Sequence, residues 1–294
     1  MDYISKFLSD IQYERRGSPH TLVAYRTDLE QFVSFLFSQN QSVEEATHRD
    51  IRSWQIALME DNDTARTINR KLSTLKAFYR FMLRNKYLTT NPMDKVIAPK
   101  QSKRLTHFVS EQDMDTVFDY LEFSNDFEGK RDKTILELFY ATGIRLSEMM
   151  QIKKGDLDFH SGTIKVFGKR KKERIIPIAP QIVQLLKDYI NFLEKSFGFV
   201  NYNENIFVTV KGKPIYPKLI YRIVRKYLDA ATTIDKRSPH VIRHTFATHL
   251  LDNGADLLAI KELLGHSSLA ATQVYTHTSI EKIKKTYKQA HPRA

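Results

Sequence analysis

Apolar residues recur at helical spacing through most of the first hundred residues, and this pattern constrains the fold more than any other feature. Helix-start signals separate the apolar runs: Ser18 followed by Pro19 is typical of an N-cap and a first helical residue, and Thr47 with Asp50 resembles a capping box. The spacing therefore predicts four helices with short breaks. The second helix shows the stripe best, with apolar residues at Leu22, Tyr25, Leu29, Phe32, Val33 and Leu36.

The fourth predicted helix, from about Thr64 to Asn85, carries a one-sided stripe of arginines. At about 100° per residue, Arg66, Arg70, Arg80 and Arg84 lie within roughly 40° of one line, opposite the apolar residues. The segment from Thr64 to Met93 contains no Asp or Glu. Solvated helix faces usually mix signs, because like charges at i,i+4 repel. With 46 Lys and Arg against 34 Asp and Glu, and a net charge of +12, the stripe favours a phosphate backbone as partner.

The rest of the chain predicts a second, larger unit. Residues 98–110 are basic, contain proline and lack periodicity, which is typical of a linker. Helices are predicted near 111–123, 129–142 and 180–197, a hairpin at 163–167 and 174–178, a short strand at 206–208, and four or five further helices. The predicted fold is mainly α: a four-helix domain over 1–97, then a mostly helical domain with a small antiparallel sheet over 111–294.

Several classes of protein are disfavoured by what the sequence lacks. The chain has no cysteine, so disulfides and thiolate chemistry are excluded. It has no apolar run approaching the roughly 18 residues of a membrane span, and its N-terminal segment resembles no signal peptide. No P-loop motif occurs, which disfavours a motor of that class. We expect a cytoplasmic protein without a membrane partner.

Five short segments of the second unit stand out: ATGIRLSE, FGKRKKER, SPHVIRHTFATHLL, LLGHSS and ATQVYTH. Taken singly, each has an ordinary explanation, such as a surface arginine or a solvated basic turn. A metal site does not fit the histidines, because His249 lies about 180° around its helix from His240 and no HExxH motif is present. His249 is instead predicted to be a hydrogen-bonded core residue.

Together and in this order, the segments resemble the tyrosine recombinase (phage integrase) family. They are most similar to the bacterial Xer recombinases, through HVIRHTFATHLLDNGAD, LLGHSS, YTH and the terminal HPRA. One departure stands in the hairpin, where Arg170 occupies a position that is commonly glycine in Xer proteins and leaves the resting position of the neighbouring lysine less defined. The six family positions are filled by Arg145, Lys169, His240, Arg243, His266 and Tyr275.

The resemblance implies that Tyr275 attacks a DNA phosphate and forms a 3′-phosphotyrosine intermediate, with no metal or cofactor. His240 would accept the tyrosine proton, because a phenol with a pKa of about 10 needs a base at neutral pH. Arg145 and Arg243 would hold the phosphate oxygens, Lys169 would protonate the leaving 5′ oxygen, and His266 would support the phosphate. Predicted DNA contacts outside this set are Arg66, Arg70, Arg80, Arg84, Lys171, Lys172 and Arg174.

The resemblance also implies partners: a double-stranded recombination site, a sister or identical recombinase in a tetrameric synapse, and the septal DNA translocase. It implies a role in resolving chromosome dimers, with the tail from Ile280 onward docked on a neighbouring protomer. The sequence leaves open an integrase or invertase of a mobile element with the same chemistry. A catalytically silent DNA-binding protein of this fold and a metal-dependent nuclease are further alternatives.

Overall fold

The structure is a computed structural model that describes residues 2–15, 17–100, 107–168, 173–198, 200–265 and 286–293. The chain divides into two compact units, residues 1–104 and 105–294. The first unit is helical, with α1 (Tyr3–Ser9), a π-helical turn (Asp10–Glu14), α2 (Pro19–Ser38), α3 (His48–Glu60) and α4 (Ala65–Arg84). Its predicted helix starts are confirmed, since Ser18 caps α2 ahead of Pro19 and Thr47 with Asp50 forms a capping box on α3.

The apolar faces of these helices meet in one core. Phe7, Phe32 and Phe78 are fully buried there, and Trp54 packs against Phe32 with ring centroids 5.0 Å apart. The apolar face predicted for α4 is buried as expected, at Ile68, Leu72, Leu75, Phe78, Tyr79 and Met82.

The chain leaving this unit is tied to α3 and α4 by side chains. Arg52 donates to the carbonyl of Lys95 at 3.1 Å, and Gln55 Nε2 donates to that of Ile97 at 3.1 Å. Asn69 Nδ2 donates to the carbonyl of Pro99 at 2.9 Å. The first residues of the predicted linker are therefore held against the helical unit.

The second unit begins with α5 (Glu111–Asp115), a π-helical turn (Thr116–Tyr120), α6 (Phe127–Thr142) and α7 (Leu146–Met149). A short 3₁₀ turn (Lys154–Asp156) then leads to an antiparallel sheet of β1 (Leu157–Asp158), β2 (Thr163–Phe167) and β3 (Glu173–Pro177), in that order. In the β2–β3 pair, Thr163 lies opposite Pro177 and Phe167 opposite Glu173. The predicted hairpin is confirmed, with β3 one residue earlier than expected.

The later helices are α8 (Pro180–Phe197), α9 (Pro217–Ala231), α10 (Pro239–Asp252) and α11 (Leu257–Leu264), and residues 286–290 are also helical. The predicted strand at 206–208 is wrong. Val208 makes one isolated bridge, to Pro214, and the preceding residue Asn205 makes another, to Lys153, so the stretch has no neighbouring strand to extend it. Among the described helices, none is both long and apolar enough to cross a membrane.

Residues 286–293 pack against their own unit. Tyr287, Ala290 and His291 are buried, and His291 Nε2 lies 3.0 Å from the carbonyl oxygen of Tyr140 on α6. Arg293 donates to both carboxylate oxygens of Asp119 at 2.9 Å. Docking of the tail on a neighbouring protomer stays a prediction.

Candidate active site

Arg145 follows a sharp change of direction at the end of α6. Gly143 adopts the left-handed conformation (φ +56°) typical of a residue that ends a helix, and its N–H donates to the carbonyl of Phe139 at 2.9 Å. A Cβ at this position would lie 2.4 Å from a ring carbon of Phe246. Glycine therefore adopts this turn without strain, and the turn places Arg145 as the residue before α7.

His240 and Arg243 are the second and fifth residues of α10, about one turn apart at its start. Ser238 accepts a hydrogen bond from Val241 N, and Pro239 is the first helical residue. His240 is exposed, whereas Arg243 is partly buried. Arg243 Nη1 donates to the carbonyl of Gly143 and Nη2 donates to that of Leu264 at 2.6 Å. Arg243 thus bonds directly to the turn that precedes Arg145.

The carboxylate of Glu148, buried on α7, is shared by two arginines. Arg145 Nη1 donates to Glu148 Oε1 at 2.8 Å, and the Arg145 backbone N–H donates to Oε2 at 2.8 Å. Arg174 on β3 donates from Nη1 and Nη2 to the same two oxygens, each at 2.8 Å. Four hydrogen bonds therefore satisfy Glu148, and Arg145 is fixed through it.

Arg145, Arg174 and Arg243 all donate hydrogen bonds to backbone carbonyls at the end of α11. Arg174 Nε donates to the carbonyl of Leu263 at 2.9 Å, Arg243 to that of Leu264, and Arg145 Nη2 to that of Gly265 at 2.9 Å. The carbonyls at a helix C-terminus have no partner within the helix and carry partial negative charge, so they suit guanidinium donors. Gly265 ends α11 in the left-handed conformation, at φ +63°.

Positive charge exceeds negative charge in the cluster formed by Arg145, Arg174, Arg243 and Glu148. Burial raises the pKa of Glu148, but the hydrogen bonds and charge of Arg174, followed by those of Arg145, outweigh burial and lower the pKa to about 2. Burial and then the positive charges of Arg145 and Arg174 lower the pKa of Arg243 to about 10, which still leaves it protonated at neutral pH. Three guanidinium groups against one carboxylate give the cluster a net charge of about +2, which suits an anion such as phosphate.

Lys169, Lys171, Lys172, His266 and Tyr275 lie outside the described residues, as does Arg170. Arg145, His240 and Arg243 are therefore the part of the predicted catalytic set that the structure describes. Of these, Arg145 and Arg243 are brought together by their bonds to Gly265 and Leu264.

Arg174 does not lie on the surface, where the sequence predicts a DNA contact. Its side chain is only 5% exposed, and its bonds to Glu148 and Leu263 use all three of its guanidinium nitrogens. A strand position next to a basic turn suggests exposure, but β3 packs this residue beneath α7 and α11.

His249 is a core residue, as the sequence predicts. It is 2% exposed, and its Nδ1 lies 2.9 Å from the Tyr140 hydroxyl. Burial lowers the pKa of His249 and so favours the neutral imidazole. Within the described ranges, no cluster of three or more His, Asp or Glu side chains could hold a metal ion.

In the first unit, the four arginines of the α4 stripe are all exposed, but they differ in their partners. Arg70 is paired with Asp28 on α2, and Arg84 is paired with Asp10. Both carboxylates are buried. Arg66 and Arg80 have no ion pair with any residue that the structure describes. Carboxylates from neighbouring helices thus relieve part of the repulsion that the sequence of α4 alone implies.

Glu148 is the residue of this cluster that was not predicted from the sequence. A signal was present, because Glu148 stands three residues after Arg145 at the start of a helix, where a carboxylate can reach back to the preceding N–H. Its contact with Arg174 joins residues 26 positions apart, which no local pattern reveals.

Comparison with known proteins confirms the family resemblance that the sequence segments indicate. Residues 95–282 match the phage integrase family, and residues 4–86 match its N-terminal SAM-like domain. The chain is 38% identical to the tyrosine recombinase XerC of Bacillus subtilis over 296 residues, covering all of this chain and 97% of that protein. It is 37% identical to the tyrosine recombinase XerD of Staphylococcus saprophyticus, covering 99% of both chains.

Solved structures show the same fold at lower identity. The Tn1549 transposon integrase in complex with transposon right end DNA is similar with a TM-score of 0.75 and 19% identity, over 97% of this chain and 99% of that one. The XerH site-specific recombinase bound to palindromic difH substrate gives 0.74 and 21% identity, over 96% and 83%. The chain therefore belongs to the phage integrase family, as a tyrosine recombinase of the Xer type that cuts and rejoins DNA strands at specific sites.

Proposed function

We propose that Arg145 and Arg243 bind the two non-bridging oxygens of the DNA phosphate that is cut. The supporting observation is that both guanidinium groups are held by carbonyls of one turn, at Gly265 and Leu264, in a cluster with excess positive charge. Donors fixed before the reaction stabilise the additional charge of a pentavalent phosphorus without reorganising. Arg145 keeps a third of its side chain exposed, so its remaining N–H groups are free to meet a ligand.

In the proposed reaction, the Tyr275 hydroxyl oxygen attacks phosphorus and its proton passes to His240. The bond from phosphorus to the 5′ oxygen breaks, and Lys169 donates a proton to that oxygen as it leaves. His266 supports the phosphate. The exposed position of His240 at the start of α10 suits a base that meets a group outside its own helix. A 5′-hydroxyl of another strand then reverses the attack, so strands are rejoined without an external energy source.

We propose that the first unit binds the duplex through the α4 stripe. Arg66 and Arg80 are the strongest candidates for phosphate contacts, because they are exposed and have no ion pair among the described residues. Arg70 and Arg84 would contact DNA while sharing their charge with Asp28 and Asp10. In the second unit, Lys171 and Lys172 of the basic turn would add contacts to phosphate.

At the scale of the cell, we propose chromosome dimer resolution by a tetramer with a sister or identical recombinase, in the cytoplasm and under the septal DNA translocase. The support is similarity at 36–38% identity to proteins named XerC and XerD over nearly the whole chain. The test is recombination of plasmids that carry either the dif-like site of the source chromosome or the ends of a mobile element. Exchange at the chromosomal site supports the proposal, and exchange only at element ends supports the alternative role.

The chemistry is tested by trapping the intermediate. We expect nicked site DNA, incubated with the protein in EDTA, to give a protein–DNA adduct that survives SDS, and we expect no adduct from Tyr275→Phe. Cleavage that requires Mg²⁺ would instead indicate a metal-dependent nuclease. Binding without cleavage by either protein would indicate a silent DNA-binding protein.

A further inference from the structure

Arg174 is buried within the arginine cluster and is bonded on all sides by protein groups, unlike a hairpin residue that contacts DNA. Its side chain is 5% exposed, its two terminal nitrogens bind both oxygens of Glu148, and its Nε binds the carbonyl of Leu263. A Cβ at Gly265 would lie 3.1 Å from Arg174 Cδ, so the side chain also packs closely along the turn that ends α11. This planar, bidentate geometry is available to arginine and not to lysine.

Arg174 connects three parts of the second unit. Its backbone lies opposite Val166 in the β2–β3 hairpin, its terminal nitrogens reach α7, and its Nε reaches α11. Arg145 is bound to two of the same groups, since it contacts Glu148 and the carbonyl of Gly265. Removing the Arg174 side chain would take away two of the four hydrogen bonds that Glu148 accepts and would leave a buried carboxylate with Arg145 alone.

We propose that Arg174 is a positioning residue for strand cleavage: it fixes Glu148 and the end of α11, and through them holds Arg145 in place for the phosphate. The inference rests on the proposed role of Arg145. It replaces the DNA contact that the sequence predicts for Arg174. Because Arg174 lies on β3, which pairs with β2, this contact also ties the hairpin strands to the arginine cluster.

The test separates DNA binding from cleavage in Arg174→Gln, Arg174→Lys and Glu148→Gln. DNA affinity is measured across a salt series, and the cleavage rate is measured in a single turnover at saturating protein. We expect affinity and salt slope to stay at the wild-type values, because Arg174 does not meet phosphate. We expect the saturated cleavage rate to fall about 10–100-fold, the loss typical of a residue that orients a functional group. Arg174→Lys should be as slow as Arg174→Gln, because lysine cannot make the bidentate contact with Glu148. The double variant Glu148→Gln/Arg174→Gln should be no slower than its slower parent, because both changes break one network.

Lys165→Gln is the matched control, since it removes an exposed cation from the same hairpin. Should Arg174→Gln fail to fold, as judged by thermal unfolding, Glu148→Gln carries the test, because it keeps the size of the side chain. A salt slope lowered by about one with an unchanged saturated rate would make Arg174 a phosphate contact and overturn the inference. Wild-type cleavage rates in all the folded variants would also overturn the inference about Arg174. The proposed function would still stand in that case, provided that the wild-type protein forms the covalent adduct. A wild type that forms no adduct would overturn both.

Discussion

At the scale of single residues, the position of Arg145 depends on its contacts within the second unit. Its guanidinium is held by Glu148 and by the carbonyl of Gly265, and Arg243 holds the preceding turn through Gly143. In the proposed reaction, Arg145 and Arg243 supply charge at the phosphate, while Glu148 and the carbonyl of Gly265 hold Arg145 in position. Replacing Arg145 removes a hydrogen-bond donor to the phosphate, whereas replacing a residue that positions Arg145 only displaces that donor. The two defects can therefore be distinguished.

We expect Arg145→Ala to lower the single-turnover cleavage rate on the order of 10²–10³-fold, the usual cost of losing one donor to a developing oxyanion. The rate is measured at saturating protein on nicked site DNA. Lys195→Ala, which removes an exposed cation at the end of α8, is the control for a general change in charge. Equal rates for Arg145→Ala and the control would exclude Arg145 from the reaction.

Lys169→Ala should slow cleavage of ordinary DNA and should recover on a substrate in which sulfur replaces the bridging 5′ oxygen. A thiolate leaves without a proton, so the substrate removes the need for a general acid. Arg145→Ala on the same substrate is the control, because its defect concerns the non-bridging oxygens. If the sulfur substrate rescues both variants equally or neither, Lys169 is not the acid.

The residue types of the site could be predicted from the sequence, but their contacts could not. The order of Arg145, His240 and Arg243 along the chain, and the motif around each, were sufficient to propose their roles. The sequence predicts a DNA contact for Arg174 because this residue closely follows a run of lysines and arginines, which usually lie at the surface. Its burial depends on bonds to residues 26 and 89 positions away, and helix or strand periodicity contains no information on such distances.

At the scale of elements, the turn between α6 and α7 is the most constrained part of the site. We expect Gly143→Ala to destabilise the protein by about 1–3 kcal/mol for the left-handed backbone, with a further cost because Phe246 must move. Gly254→Ala is the matched control, since Gly254 has φ +81° but open space around it. Thermal unfolding of both variants measures the difference. Equal destabilisation would show that the contact with Phe246 does not matter.

The α4 stripe can be tested by exchanging its arginines in pairs. Arg66→Gln/Arg80→Gln should lower the salt slope of DNA binding by about 0.9 for each phosphate that these arginines neutralise, with little change in stability. Arg70→Gln/Arg84→Gln should also destabilise the first unit, by about 1–3 kcal/mol at Arg70, because the buried Asp28 would lose its cation. The loss at Arg84 should be smaller, because the buried Asp10 keeps its ion pair with Arg15. Salt-dependent affinity and thermal unfolding are measured for both pairs and for the fourfold variant. An unchanged slope in the fourfold variant would mean that the stripe does not face phosphate.

The helix starts at Ser18 and Thr47 were the most predictable features of the elements, because a cap depends on neighbouring residues alone. The π-helical turns at 10–14 and 116–120 were not predicted, since each continues an apolar helical pattern without a breaking residue. The stretch at 206–208 has the composition of a strand but no strand to pair with. Strand formation depends on a partner, whereas a helix satisfies its own backbone.

At the scale of the whole molecule, one covalent bond is responsible for both cutting and rejoining in the proposed reaction. An ester between Tyr275 and the 3′ phosphate keeps the energy of the broken bond, which agrees with the absence of a P-loop in the sequence. The arginine cluster, the basic hairpin turn and the α4 stripe would then serve to hold DNA while that bond exists.

The most direct test is to identify the residue that carries the DNA. The trapped adduct is digested with nuclease and trypsin, and mass spectrometry locates the remaining nucleotide. Complete digestion gives the peptide of residues 262–282, in which Tyr275 is the only tyrosine. We predict a nucleotide joined through its 3′ phosphate to Tyr275. A nucleotide on any other residue, or one joined through a 5′ phosphate, would contradict the proposed reaction.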